Sequence, residues 1–163
     1  NTTVADGSRT RFTTHGQYYL GQLALQAEYV VSHQEVRRAT AADEIAQQSW
    51  QLTGSWVLTG ETATGRAIAP RTAFEPGKGH WGAFEIVARA NALTVDDAAF
   101  PVFANPDAAA RQATAAGLGL NWYLNRNVKI AADYEQTRFD RGALAGADRP
   151  DEHALFTRFQ IAF

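Results

Sequence analysis

The chain has no cysteine and no methionine among its 163 residues. Without cysteine there is no disulfide framework, no thiolate metal site and no thiol nucleophile, and redox compartment is not readable from cysteine pairing. The lack of methionine even at position 1 gives the expectation that the chain has been processed or cut from something longer, with Asn1 not a native start. Excess charge of one sign is missing too: seventeen acidic against fifteen basic side chains give a formal charge of -2. No overall basic field is available for nucleic acid, which is therefore not an expected partner. Long apolar runs are also absent. No uncharged stretch reaches the roughly 18 residues a spanning helix needs, and no basic-then-apolar leader opens the chain, so any signal peptide is gone or lay upstream. Neither absence bears on barrels, whose strands cross a bilayer with about 9–11 residues of alternating polarity. A mean hydropathy of -0.30 is compatible with that.

Site chemistry is sparse as well. His15, His33, His80 and His153 are dispersed, with no i, i+2 or i, i+4 pair that would suit a metal. No nucleophile elbow or phosphate-binding glycine loop occurs, and Asp148, Asp151 and Glu152 read as a solvated loop. The sequence argues for no catalytic residue, no metal, no cofactor and no enzyme.

What is present is a period of two, in segments of about ten residues. Phe12, Thr14, Gly16, Tyr18 and Leu20 alternate with Arg11, Thr13, His15, Gln17 and Tyr19; Gly21-Gln22 then turns the chain. Leu23, Leu25, Ala27, Tyr29 and Val31 oppose Gln26, Glu28 and Ser32, so the pair reads as a tight hairpin. Polar Gln34 to Gln47 interrupts the pattern. Trp50, Leu52, Gly54, Trp56 and Leu58 form the next apolar face, and a long breaker-rich connection runs from Thr59 to His80. Phe84, Ile86, Ala88, Ala90 and Ala92 oppose Glu85, Arg89 and Asn91; a loop from Leu93 to about Ala113 contains a proline-bounded AFPVFANP. Leu118, Leu120, Trp122 and Leu124 make the fifth face, Asn125-Arg126-Asn127 a turn, and Val128, Ile130, Ala132 and Tyr134 the sixth. After a polar loop, Arg138 to Asp151, the chain ends with Leu155, Phe159, Ile161 and Phe163 on one face.

Seven strands joined by alternately short and longer connections have the sidedness of an outer-membrane barrel, apart from the Thr59–His80 connection, which falls where turns should be short. That leaves either a missed strand or an unusually long connection. Aromatic rings near strand ends, mixed charges on the opposite faces and a final aromatic strand favour the barrel. Two alternatives compete. A soluble β-sandwich binding module also has alternating strands, and a closed eight-stranded outer-membrane barrel with a structural or adhesive role fits this length, but Asn1–Ser8 makes a poor eighth strand.

Particular stretches narrow the choice. WVLTGE (Trp56–Glu61), FEPGKGHWGAFEIVAR (Phe74–Arg89), AFPVFANP (Ala99–Pro106), GLGLNWYLNRNVKIAADYEQTRF (Gly117–Phe139), ADRPDEHALFTRFQIAF (Ala147–Phe163) and the upstream HGQYYLGQLALQAEYVVSHQEVRR resemble the phosphate-selective porin O/P family of Gram-negative outer membranes. The resemblance implies an all-β, antiparallel, water-filled transmembrane barrel of about sixteen strands, a homotrimer passing phosphate, polyphosphate or other small anions through an arginine- and lysine-lined constriction. Residues 1–163 would then be the C-terminal portion of such a barrel, with no separate second domain. The family's N-terminal strands and inward-folded loop have no counterpart here, so its constriction residues are not carried over.

By parity, the cations on the water-facing side are Arg9, Arg11, Arg89, Lys129 and Arg158. Glu85 shares a face with Arg89 and Asp133 with Lys129, which predicts that roughly half of these charges are neutralised in wall ion pairs. Arg66, Arg71 and Lys78 in the long connection would add a basic vestibule. Phe159, Ile161 and Phe163 read as the assembly signal recognised by the barrel assembly machinery, and outer-membrane lipid is the expected surrounding.

Overall fold

The computed structural model describes residues 2–163. Seven strands, β1 (Val4–Leu20), β2 (Leu23–Arg38), β3 (Ala41–Val57), β4 (Ala83–Val95), β5 (Ala110–Tyr123), β6 (Val128–Arg141) and β7 (Glu152–Ile161), form one sheet in chain order. Every neighbouring pair is antiparallel. The sheet is open, with β1 and β7 at its edges. A single sheet of seven strands is neither the two packed sheets of a sandwich nor a closed eight-stranded barrel.

The alternating segments fall in these strands, but all except β7 run past ten residues. Gln34 to Gln47, expected to interrupt the pattern, continues β2 and β3 around a two-residue turn at Ala39-Thr40, where Ala39 takes φ 56°. The segment Val4–Ser8 belongs to β1, with a register shift between Ala5 and Arg9. Likewise β6 extends to Arg141, shortening the loop expected from Arg138. No strand was missed between Thr59 and His80: that connection holds a short 3-10 turn, Pro76–Lys78, and an isolated Glu75–His80 bridge.

Two rims result. The first carries the turn at 21–22, the connection 58–82 and the turn 124–127; the second carries 39–40, 96–109 and 142–151. At the 21–22 turn Gly21 takes φ 58°, a left-handed conformation suited to a two-residue hairpin. At the start of β4, Gly82 takes φ 74° and a Cβ there would lie 2.2 Å from the Tyr123 carbonyl oxygen, so only glycine lets the connection enter the strand.

Cross-strand register puts the apolar sets together. Tyr18 faces Leu25, Leu25 faces Gly54, Trp56 faces Ile86, Ile86 faces Leu120 and Leu120 faces Ala132. These large side chains are exposed, Leu118 at 65% and Phe159 at 64%, with no second layer above them. Two aromatic rows bound the apolar face. On the first rim Trp56 Nε1 donates to Gln22 Oε1 at 3.1 Å, and Trp122 Nε1 donates to the Trp81 carbonyl at 2.6 Å. Phe84 stacks on Trp122, and Phe74 meets it edge-on at 5.2 Å. The second row is Tyr29, directly opposite Trp50, together with Tyr134. Tyr29 donates its hydroxyl to Gln48 at 3.2 Å, and the Tyr134 hydroxyl lies 2.7 Å from His153 Nδ1. The tips of Trp56, Trp122, Tyr29 and Tyr134 find polar partners while their rings stay on the apolar face, the amphipathic arrangement of an interfacial anchor. Beyond the second row the same face turns polar, with His33 paired to Glu44 at 3.1 Å and Arg138 to Asp151 at 3.6 Å.

Candidate functional site

The opposite face of the sheet is polar along its middle, with Arg11, Gln17, Gln26, Glu28, Gln51, Thr53, Arg89, Asn121, Asp133, Glu135 and Arg158 all at the complementary parity. A groove of about 500 Å³ lies on this face, and Arg89, Asp133, Glu135 and Arg158 all line it. Arg9, Arg11 and Lys129 share the face but do not line the groove.

The partners differ from those expected from spacing along one strand. Arg89 Nη2 pairs with Glu135 Oε2 at 2.6 Å, across two strands, and not with Glu85. Glu85 is held by Asn121 Nδ2 at 2.9 Å and by the Tyr123 hydroxyl at 2.8 Å, both donating to Oε2. The Lys129 ammonium sits 5.5 Å from the Tyr123 ring centroid, so a cation–π contact replaces the pair expected with Asp133. Arg9, Arg11 and Arg158 have no carboxylate partner among the described residues. Of the five cations, Arg89 alone is ion-paired among the described residues, fewer than the half expected. Since half-exposed pairs contribute about 0–1 kcal/mol, the Arg89–Glu135 pair matters more for local charge than for stability.

The connection 58–82 folds onto this polar face at the first rim. Ala63 and Ile68 pack against Val57, Ala83 and Tyr123, with Ala24 alongside, and Val57 and Ala83 are wholly buried. Backbone bonds stitch it to both adjacent turns: Ala63 donates to the Gly21 carbonyl at 2.8 Å and Phe74 to the Leu124 carbonyl at 2.6 Å. At its centre Glu61, 7% exposed, accepts from the Thr59 hydroxyl and from the Arg71 backbone N–H at 3.1 Å. Burial alone would raise the Glu61 carboxyl, but these hydrogen bonds and the Arg71 charge outweigh it and hold the pKa below the usual carboxylate value. The Arg71 guanidinium itself donates to the Gly60 carbonyl, and Lys78 pairs with Glu75 at 2.8 Å. Of the three basic residues in the connection, Arg66 is the one without such an engagement of its side chain among the described residues.

At the second rim the connection 96–109 also leans to the polar side: Arg38 donates to the Val102 carbonyl and the Thr3 hydroxyl to the Phe103 carbonyl at 2.8 Å. Phe159 and Ile161 lie on the apolar face opposite Ile130 and Val128, both exposed, while Ala162 is bonded in both directions to Asn127 at 2.8 Å. Phe163 is fully exposed. The sequence reading missed Glu61 and the Glu85–Asn121–Tyr123 cluster. A buried acid beside Thr59 in a glycine-rich connection has no spacing signature, and the partners of Glu85 become visible only with the β4–β5 register.

The family model for phosphate-selective porins O and P matches residues 1–163. Porin O of Pseudomonas aeruginosa is 28% identical over 155 residues, covering 91% of this chain and 34% of that protein, so the chain spans about a third of that relative's length. Porins of this family are diffusion channels and not enzymes. A sheet with one apolar, aromatic-bounded face and one polar, charged face, matched by that model along its whole length, belongs to the family of phosphate-selective porins O and P.

Proposed function

We propose that the chain is a wall sector of a bacterial outer-membrane diffusion channel selective for anions such as phosphate or polyphosphate. The apolar face meets outer-membrane lipid and the polar face lines the water path. Residues 1–163 act as the C-terminal portion of the barrel, without a second domain. Both sheet edges need further strands, because unpaired backbone is not tolerated in lipid. The observation that carries the reading is the set of cations on the water-facing side, Arg9, Arg11 and Arg158, that have no carboxylate partner among the described residues. Fixed positive charge along a narrow path offsets the cost of partly dehydrating an anion. Arg66 adds charge at the pore exit, while Arg71 and Lys78 serve mainly to shape the connection. Phe159, Ile161 and Phe163 form the strand recognised by the barrel assembly machinery, and the complete porin is a homotrimer.

The test is the reversal potential of the complete porin in planar bilayers under a potassium chloride gradient. Arg11→Gln with Arg158→Gln lowers the anion-to-cation permeability ratio, whereas the charge-neutral double change Arg89→Gln with Glu135→Gln leaves it nearly unchanged. An unchanged ratio in the Arg11/Arg158 double variant removes these cations from the selectivity argument. A porin without anion preference overturns the reading itself.

A further inference from the structure

The groove on the water-facing side contains an acid that the anion-channel reading leaves unused. Gly117 and Gly119 lie two residues apart on β5, opposite Glu135 and Asp133. A Cβ at Gly119 would lie 2.1 Å from Asp133 Oδ1, so the Asp133 carboxylate occupies the space a side chain would take and rests against bare backbone. Its neighbour Glu135 is engaged by Arg89. Asp133 has no hydrogen-bond or ion-pair partner among the described residues, and neither does Arg158. The two are diagonal neighbours, since Asp133 faces Phe156 and Ala131 faces Arg158. Diagonal positions on one face are about 7–8 Å apart, and Asp133 and Arg158 both line the same groove, so one small molecule in it can reach both.

An ionised carboxylate can only accept hydrogen bonds, and a guanidinium can only donate them. A ligand satisfying both must present an anionic oxygen and, beside it, a proton donor. Sulfate and chloride present no donor and meet the carboxylate only as a repelling charge. Hydrogen phosphate keeps a P–OH proton, and its bond to a carboxylate is charge-assisted and short.

We propose that Asp133, held in the trough left by Gly119 and set beside Arg158, is a specificity-determining residue that favours protonated oxyanions, hydrogen phosphate and its monoesters, over fully ionised ones such as sulfate. Arg158 holds the anionic oxygens and Asp133 accepts the remaining proton's hydrogen bond without taking the proton. This rests on the anion-channel reading and adds to it a means of choosing among anions.

The test compares phosphate with sulfate at mildly alkaline pH, where both are dianions of similar size and differ by the one proton. Reversal potentials of the complete porin in planar bilayers give the phosphate-to-sulfate permeability ratio, and heat-modifiable gel mobility confirms that each variant has assembled. Asp133→Asn lowers the ratio by about fivefold, a discrimination below that of a fully buried charged hydrogen bond because the groove is wet. Gly119→Ala keeps the charge but displaces the carboxylate, and lowers the ratio in the same direction. If both assembled variants keep the wild-type ratio, or if Asp133→Asn raises sulfate and phosphate equally, the assignment is overturned. The potassium chloride measurement separates this outcome from failure of anion selectivity as such.

Discussion

The wall and the connection 58–82 bury apolar residues in opposite senses. Along the wall the large hydrophobic side chains point away from the chain, with Leu52 43%, Trp56 51% and Leu120 44% exposed. In the connection, Ala63 and Ile68 are buried against Val57, Ala83 and Tyr123 in the manner of a water-soluble core. The wall leaves its apolar face uncovered by the rest of the chain, whereas the connection buries its apolar residues within the chain itself. A single chain thus carries two hydrophobic organisations, and the boundary between them runs along the first rim, where the Trp56 and Trp122 ring nitrogens turn toward polar partners.

The strongest way to break the contrast is a charge on the outward face between the two aromatic rows. Leu52→Arg is expected to cost about 2–4 kcal/mol of folding into lipid, the penalty for a basic residue near the midplane. Denaturant titration of the complete porin refolded into vesicles measures it, and a loss within a few tenths of a kcal/mol would show that this face does not meet lipid. Next comes Ile68→Ala, which opens a cavity in the rim cluster and costs about 2–4 kcal/mol of local stability. The expected result is faster proteolytic cutting within 58–82 from an otherwise intact barrel. Unfolding of the barrel as a whole would show the two organisations to be coupled.

The smallest effect is the pH response of the connection. Because Glu61 sits below its unfolded pKa in the folded protein, its contribution is fully present above the unfolded value. It declines as pH falls between the unfolded and the folded values, and is gone below the folded one. Hydrogen exchange in 58–82 should therefore be steady from neutral to mildly acidic pH and accelerate only as the solution becomes strongly acidic. Glu61→Gln should exchange faster at neutral pH and lose that acid step; an unaltered acid step would assign it to another carboxylate.

Strand faces were legible because a period of two survives wherever one face of a strand is apolar and the other polar, as at Leu23–Val31 and Trp50–Leu58. Where strands run past the second aromatic row, both faces carry polar residues and the pattern vanishes. Glu35, Arg37 and Glu44 then look like loop, and Ala39-Thr40 offers no glycine or proline to mark the turn. The water-facing cations were found by parity alone, but their partners were not. Residues four apart in a strand, such as Glu85 and Arg89, are separated by about 13 Å of extended chain. Ion pairs in a sheet form between strands, so they depend on register, and register is not written in the spacing of charges. The same limit hid the Gly119 trough, whose meaning depends on Asp133 lying opposite.

The tall β2–β3 hairpin has an electrostatic consequence. From Tyr29 to the turn at Ala39-Thr40 the ribbon rises roughly 20 Å or more past the second aromatic row, allowing for strand tilt. At physiological ionic strength the field of an exposed charge fades over about 8 Å. Arg37, paired with Asp6 at 2.6 Å near the top of this ribbon, is therefore screened from charges at the level of that row. A hairpin of this height therefore carries its charged residues, the Arg37–Asp6 pair among them, beyond screening distance of the second aromatic row.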